Sequence, residues 1–454
     1  MVARENIDAD RFDRVAKLLV DAGDVKSFDE ARDLLERYRF QLVCSSDTCR
    51  DPAAQAAMLT VVNCGVRAMH GGVQVVLQDD PYCDVPLFGG QRLSSALQSV
   101  GANLVTDIQV DLPTVVMGDI GEAPSSGAAP TLWASARGWI ADVSPDGSLT
   151  LDVPIPGEAT AAVLSAALAV SEIFQWFRGH PVAGDRDISI SLWDQSDPGA
   201  QGPPIRFLPS SLWLLGLGHL GQAYSWVLGM MPYSREAAGK VVLQDNDSVT
   251  EANRATSMMH REDTVGQRKT RVVAASLEDA GWNTELLERR YFGGPLRRSD
   301  DPLLLLAGVD NRDTRRLLDE SGFPVIYDAG LGAGPDGFLG ITVRRMPASR
   351  PSKELWNEAP PPRKLGALAA ETYAAMEAQT NDSCGVEQLA SRTVATSFVG
   401  VAAACFVLGS VLRELHGGTA YELLDLSLRD PRKVSVIEAP AGPPARLTSI
   451  GRAS

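Results

Sequence analysis

Apolar residues recur with two different periods along this chain, and the switches between them outline its architecture. Val15, Leu18 and Leu19, then Ala31, Leu34 and Leu35, make helical stripes within the first 35 residues. RFQLVCSS (39–46) is a short apolar run of the kind a buried strand makes. DTCRDP follows as a polar loop, and residues 53–69 return to a helical pattern closed by Gly71 and Gly72. VQVVL (73–77) predicts a second strand. Strand, helix and strand at this spacing predict a βαβ unit and hence a parallel sheet. Residues 104–110 and 114–117 predict further strands, and residues 159–177 an apolar helix ended by Gly179 and Pro181.

A Gly/Pro-rich stretch, DQSDPGAQGPP (194–204), interrupts the chain, and the rhythm then restarts. SLWLLGLG is a strand entering a glycine turn, residues 220–230 a helix, and VVLQDND a strand ending in acids. LLLLAGVDN (303–311) and PVIYDAG (324–330) predict two more strands. An irregular stretch opens at APPPR (359–363) and runs to about Cys384. Residues 394–415 form the closing apolar helix, stopped by Gly417 and Gly418, and the tail after Glu438 predicts disorder. Each half thus runs strand, helix, strand, several more elements and one long apolar helix, the mark of an internal duplication. Only the second half carries a glycine-rich loop; the first has Ser45, Ser46, Asp47 and Thr48 at the matching turn.

A net charge of −15 argues against a general nucleic-acid partner, whose footprint would be basic. The apolar run near 394–412 is broken by Thr396, Ser397 and Ser410, so it predicts a buried helix rather than a membrane span. Six scattered cysteines with no CxxC pair exclude a disulfide framework and a paired-cysteine zinc site. With a charged N-terminus lacking an apolar core, these features predict a cytoplasmic location.

Gly216-Leu217-Gly218-His219-Leu220-Gly221 is a GxGxxG string between a strand and a helix, where the glycines permit close backbone approach and the helix N-terminus favours phosphate. The next strand ends in Asp245-Asn246-Asp247, at the distance where an acid reaches a ribose hydroxyl. Asn253, Arg254 and Lys269 follow. Hydride transfer to a dinucleotide has no use for that group, whereas an enzyme of triphosphates needs cations against the β- and γ-phosphates. Asp310, at the polar end of a parallel strand, is a lone carboxylate suited to Mg²⁺, or else a helix N-cap. Cys384 lies in the polar stretch before the last helix, where a thiol near a helix N-terminus becomes a nucleophile; Cys405 reads as core.

In this order the residues resemble the ubiquitin-like activating enzymes, the superfamily of ThiF and MoeB: GxGxxG at Gly216–Gly221, DxDxV at Asp245, Asp247 and Val249, then Asn253, VGxxK ending at Lys269, and the pair Asp310-Asn311. The match covers about 210–418. It implies an α/β fold of two tandem Rossmann-like (ThiF-type) domains, with mainly parallel sheets, helices on both faces and a crossover segment carrying the cysteine. The implied limits are 1–195 for a degenerate, inactive adenylation-like domain and 205–355 for the active domain with the ATP site. A crossover and cysteine segment spans 356–390, the closing helix and strand 391–437, and a flexible tail 438–454.

The resemblance further implies that ATP and Mg²⁺ are used to adenylate the C-terminal glycine of a ubiquitin-like protein. Cys384 then takes the acyl group as a thioester for a conjugating enzyme. Gly216, Gly218, Gly221, Asp245, Asp247, Asn253, Lys269 and Asn311 would bind the nucleotide and Asp310 the metal. Arg11-Phe12-Asp13-Arg14 resembles the helix that sends an arginine into the opposite active site, which makes Arg14 a γ-phosphate contact. Where the family carries an arginine three residues past the asparagine, this chain has Thr256, with Arg254 as the stand-in. The alternatives are a sulfur-transfer adenylyltransferase of cofactor biosynthesis, an NAD-dependent oxidoreductase and a pseudoenzyme scaffold. The chain is expected as a monomer with pseudo-twofold halves or as a homodimer.

Overall fold

A computed structural model describes residues 7–121, 129–149, 157–236, 238–357, 365–440 and 447–452. Its first sheet comprises β1 (Phe40–Cys44), β2 (Val73–Leu77), β3 (Ala102–Leu104), β4 (Thr114–Met117), β5 (Thr131–Arg137), β6 (Ile140–Ser144) and β7 (Ile188–Ser191). The order is β3-β2-β1-β4-β5-β6-β7. Pairing is parallel as far as β5 and antiparallel beyond it.

After β8 (Phe207–Pro209) comes a second sheet: β9 (Ser211–Leu215), β10 (Gly239–Gln244), β11 (Trp282–Leu287), β12 (Leu304–Ala307), β13 (Val325–Leu331), β14 (Gly340–Met346), β15 (Tyr421–Ser427) and β16 (Val434–Glu438). Its order, β11-β10-β9-β12-β13-β14-β15-β16, repeats the first with one strand more, and again the first five strands are parallel. The shared order displays the duplication that the chain's rhythm predicts.

The two long helices, Ala159–Phe177 and Ser397–Leu415, have the length and apolarity to cross a membrane, yet nearly all of each is buried inside the protein. They meet between the halves, where Phe174 and Phe398 have ring centroids 5.5 Å apart. Trp226 donates to the Thr60 hydroxyl at 3.0 Å, and the buried Arg67 guanidinium of the first half donates to the carbonyls of Arg254, Met258 and His260 at 2.7–3.2 Å. One hydrophobic core therefore runs through both sheets.

Several local expectations differ from the structure. The first 35 residues hold two helices, Arg14–Ala22 and Phe28–Arg37, because Gly23 turns to φ 77° and ends the first. The loop expected at 47–52 opens instead on a helical turn, Ser46–Cys49, capped by Ser45. The strand expected over 104–110 forms instead at Ala102–Leu104, and the Gln41 amide grips both the N–H and the carbonyl of Gln109 in the irregular stretch beyond it. The stretch to Cys384 is largely helical, as Ala367–Thr380, while 358–364 lies outside the described residues. The flexible tail needs the same correction. Residues 441–446 and 453–454 are outside the description, but β17 (Ser449–Gly451) pairs antiparallel with β8.

Candidate functional site

The carboxyl ends of β9, β10 and β12 stand level, with Leu215 in register with both Gln244 and Ala307. β9 and β12 run parallel, but between them the order in which successive strands are added to the sheet reverses, and open α/β sheets bind ligands at such a switch point. A cavity of about 890 Å³ lies there.

The glycine turn forms its rim. Gly216 adopts φ 83°, a conformation that costs glycine nothing, and a Cβ on Gly221 would overlap the Gly216 carbonyl oxygen. The helix His219–Met230 starts with no side-chain cap, so its first N–H groups are available to an anion. Asp245 holds the turn to the next strand: one carboxylate oxygen accepts from Leu217 N at 2.6 Å, the other from Asp247 N at 2.7 Å. Lys269, the first residue of the helix Lys269–Asp279, is largely buried and places Nζ 3.2 Å from the Asp247 carboxylate. Asn253 sits on a 3₁₀ turn, where its carbonyl oxygen caps Thr250 N at 2.9 Å.

At the end of β12, Asn311 accepts from Asp313 N and Thr314 N and so caps the following helical turn. The capping role open to Asp310 belongs to its neighbour, and the Asp310 carboxylate faces the cavity exposed.

Arg14 reaches the same cavity from the N-terminal helix, whose cap, Asp13, accepts from Val15 N and Ala16 N. Arg11, on the same segment, points instead to Glu251 at the surface. Burial, followed by the nearby Arg392, pushes the Arg14 guanidinium below its ordinary pKa.

Of the residues singled out in the sequence, Arg14, Gly216, Gly218, Asp245, Asp247, Asn253, Lys269, Asp310 and Asn311 line this cavity; Gly221 lies beneath its rim. Two do not join them. Arg254 is exposed outside the lining, its backbone carbonyl drawn to Arg67 at 2.7 Å, so it does not stand in for Thr256. Cys384 is exposed on the helix Ser383–Ser391, whose opposite end reaches the cavity at Ser391 and Arg392. Arg289, Arg290, Arg315 and Arg392 line the cavity without having been foreseen, because no motif spacing marks them. A smaller recess alongside holds Asp328, which burial raises to about 6 despite its 3.1 Å contact with Arg315.

His219 also lines the cavity, and burial lowers it to about 4. Unfolded, it titrates near 6.5, so the unfolded chain binds the extra proton and stability falls as pH drops from about 6.5 towards 4. The full difference is about 3 kcal/mol, trimmed by the ring's partial contact with the cavity. Denaturation midpoints measured at pH 7.5 and 5 should show a drop that shrinks in His219→Gln; an equal drop in the variant assigns the effect elsewhere.

In the first sheet the matching turn is closed. Ser45 and Thr48 hydroxyls lie 2.7 Å apart, Thr48 donates to Met117 O at 2.8 Å, and a Cβ on Gly118 would overlap Ser45 Oγ.

Two family models divide the chain along the same halves: residues 39–192 match the BilD N-terminal domain and residues 208–418 the BilD C-terminal domain. The bacterial E1-like protein BilD of Collimonas sp. (strain OK412) is 35% identical over 429 residues, covering 92% of this chain and 91% of that protein. The chain belongs to the BilD family. BilD proteins are E1-like, in agreement with the resemblance to ubiquitin-like activating enzymes. Among solved structures, a crystal structure of E. coli MccB with ATP superimposes with TM-score 0.34 at 11% identity, over 70% of this chain and 97% of that one. A selenomethionine structure of PaaA gives 0.33 at 14%, over 51% and 65%. At such scores the likeness is loose.

Proposed function

We propose that this chain adenylates the C-terminal carboxylate of a small ubiquitin-like protein with ATP, then takes the acyl group on Cys384 for transfer to a conjugating enzyme. The observation that carries the reading is the convergence, at one switch point, of an uncapped helix N-terminus, Lys269, the uncommitted Asp310 and Arg14 from the other end of the chain. A dinucleotide needs the first of these but not the cations and lone carboxylate together. The curated relative is named E1-like, and the MccB structure was solved with ATP.

In this reading the glycine turn and helix N-terminus hold phosphate oxygens, Asp245 and Asp247 face the ribose side, and Asn253 and Asn311 line the nucleotide's path. Lys269 and Arg14 balance the β- and γ-phosphates. Catalysis is then positioning plus charge neutralisation. Asp310 fits a magnesium ion, since its exposed carboxylate lines the cavity and Mg²⁺ beside phosphates needs only one or two carboxylates. When bound, the ion would neutralise charge on the phosphate oxygens. The first half, with its turn filled by Ser45 and Thr48, is the inactive partner that supplies Arg14. That division follows the limits 1–195 and 205–355, with 356–390 as the cysteine segment and 391–437 closing the active half.

Calorimetric titration of the full chain with Mg·ATP and, separately, with NAD⁺ and NADH tests this. Binding of Mg·ATP alone is the expected result. Binding of NAD⁺ in its place overturns the reading in favour of an oxidoreductase, and binding of neither leaves a scaffold.

A further inference from the structure

Thr256 is neutral and Arg254 is exposed outside the lining, so neither supplies a cation beside Asn253. Among the remaining arginines of the lining, Arg315 is engaged by Asp328 at 3.1 Å and Ala329 O at 2.8 Å, and Arg289 and Arg290 sit exposed at the rim. Arg392 is placed differently. Its Nη2 lies 2.8 Å from Asp10 Oδ1, and the same oxygen is 3.9 Å from Arg14 Nη2. Arg392 Nε and Arg14 Nη1 are both shielded from solvent and have no hydrogen-bond partner. Two guanidinium groups thus converge on one carboxylate oxygen, with two shielded donors left over. Side by side they repel unless an anion lies between them, and a single half-exposed carboxylate satisfies only part of that demand.

We infer that Arg392 and Arg14 form a paired clamp for the β,γ-diphosphate of ATP, and that Asp10 holds the clamp in place until the phosphates displace it. The inference rests on the nucleotide reading above and adds a residue to it. In the adenylation step a carboxylate oxygen of the substrate forms a bond to the α-phosphorus. The bond from that phosphorus to the bridging oxygen breaks, and its electron pair leaves on pyrophosphate. The negative charge that grows on the leaving group lies where the two arginines donate. Arg392 is also the C-cap of the helix that carries Cys384, with its N–H bonded to Leu389 O. The leaving-group contact and the thiol therefore stand at opposite ends of one nine-residue helix.

The test titrates the full chain, as wild type, Arg392→Gln and Asp10→Asn, with three probes: magnesium pyrophosphate, Mg·ATP and AMP. Arg392→Gln should weaken pyrophosphate and ATP by about tenfold or more, since hydrogen bonds to charged groups are among the strong ones. AMP, which lacks the β- and γ-phosphates, should bind as before and so reports that the variant is folded. Asp10→Asn should act in the opposite direction and strengthen pyrophosphate severalfold, because no carboxylate has to be displaced. Unchanged pyrophosphate affinity in Arg392→Gln overturns the clamp, as does an equal loss of AMP. If the wild-type chain binds AMP and ATP but Arg392→Gln does so equally well, the clamp fails and the nucleotide reading stands. If the wild type binds no adenine nucleotide, both fall.

Discussion

Asp310→Asn is expected to lower magnesium-dependent binding and turnover of ATP by about a hundredfold, while leaving the fold intact. The magnitude follows from the several kcal/mol a bound metal contributes to phosphoryl chemistry, at about 1.4 kcal/mol per factor of ten. The variant is informative because the neighbouring structural role is already filled: Asn311, not Asp310, caps the turn that begins at Arg312. Substituting an amide of the same shape removes a charge from the cavity without removing a hydrogen bond from the described structure. The melting temperature should therefore stay where it is. AMP titrated in the absence of magnesium should bind the variant and the wild type alike, whereas Mg·ATP should separate them. Equal Mg·ATP affinity in both proteins would show that the carboxylate takes no part. A lower melting temperature with weaker binding of every probe would make Asp310 a structural residue.

How far the site could be read from the chain depends on the range over which each signal acts. GxGxxG is a local signal: its glycines are needed within six consecutive residues, since Gly216 takes a positive φ and Gly221 admits no Cβ. Asp245 follows after one helix and one strand and Lys269 after two 3₁₀ turns, at the spacing the motif expects, so their positions were legible from the same pattern. The central strands were legible for a related reason, because buried parallel strands are nearly continuous apolar runs. Residues 367–380 were read as irregular because ALAAETYAAMEAQT places alanine all round and no apolar stripe marks it; in its helix only Ala369, Thr372 and Tyr373 are buried. The pairing of β17 with β8 joins residues more than 230 positions apart and leaves no local trace. Arg254 misled for the converse reason. Its spacing suited a phosphate contact, but Arg67 takes its carbonyl and the 3₁₀ turn directs the side chain to solvent. Arg392 and Asp10 meet only in three dimensions, 382 residues apart, and no periodicity announces them.

Cys384→Ala is expected to abolish the reducible conjugate between this chain and its ubiquitin-like partner while leaving adenylation in place. In the proposed transfer the thiol attacks the acyl-adenylate carbonyl, a carbon–sulfur bond forms, and AMP leaves with the electron pair of the bond it held; alanine offers no such nucleophile. The effect is all-or-none because the other five cysteines cannot substitute. Cys44, Cys49, Cys64, Cys83 and Cys405 are all buried, and burial pushes every one of these thiols up, Cys83 to about 11 and Cys64 to about 12. Cys384 alone is exposed, second in a helix whose cap, Asp382, accepts from Gly385 N at 3.0 Å and also from Ile7 N at 2.8 Å. A partner-free check follows from the same facts: maleimide should add once, quickly, to the native chain, and not to Cys384→Ala. Cys384 lies outside the cavity while Arg392 at the far end of its helix lines it, so transfer of the acyl group to the thiol is expected to need a shift of the helix 383–391. Cross-linking that segment to the N-terminal helix should accordingly permit pyrophosphate release and block the thioester. Conjugate formation by Cys384→Ala would move the acceptor elsewhere, and conjugate formation by the cross-linked chain would show that the helix 383–391 need not shift.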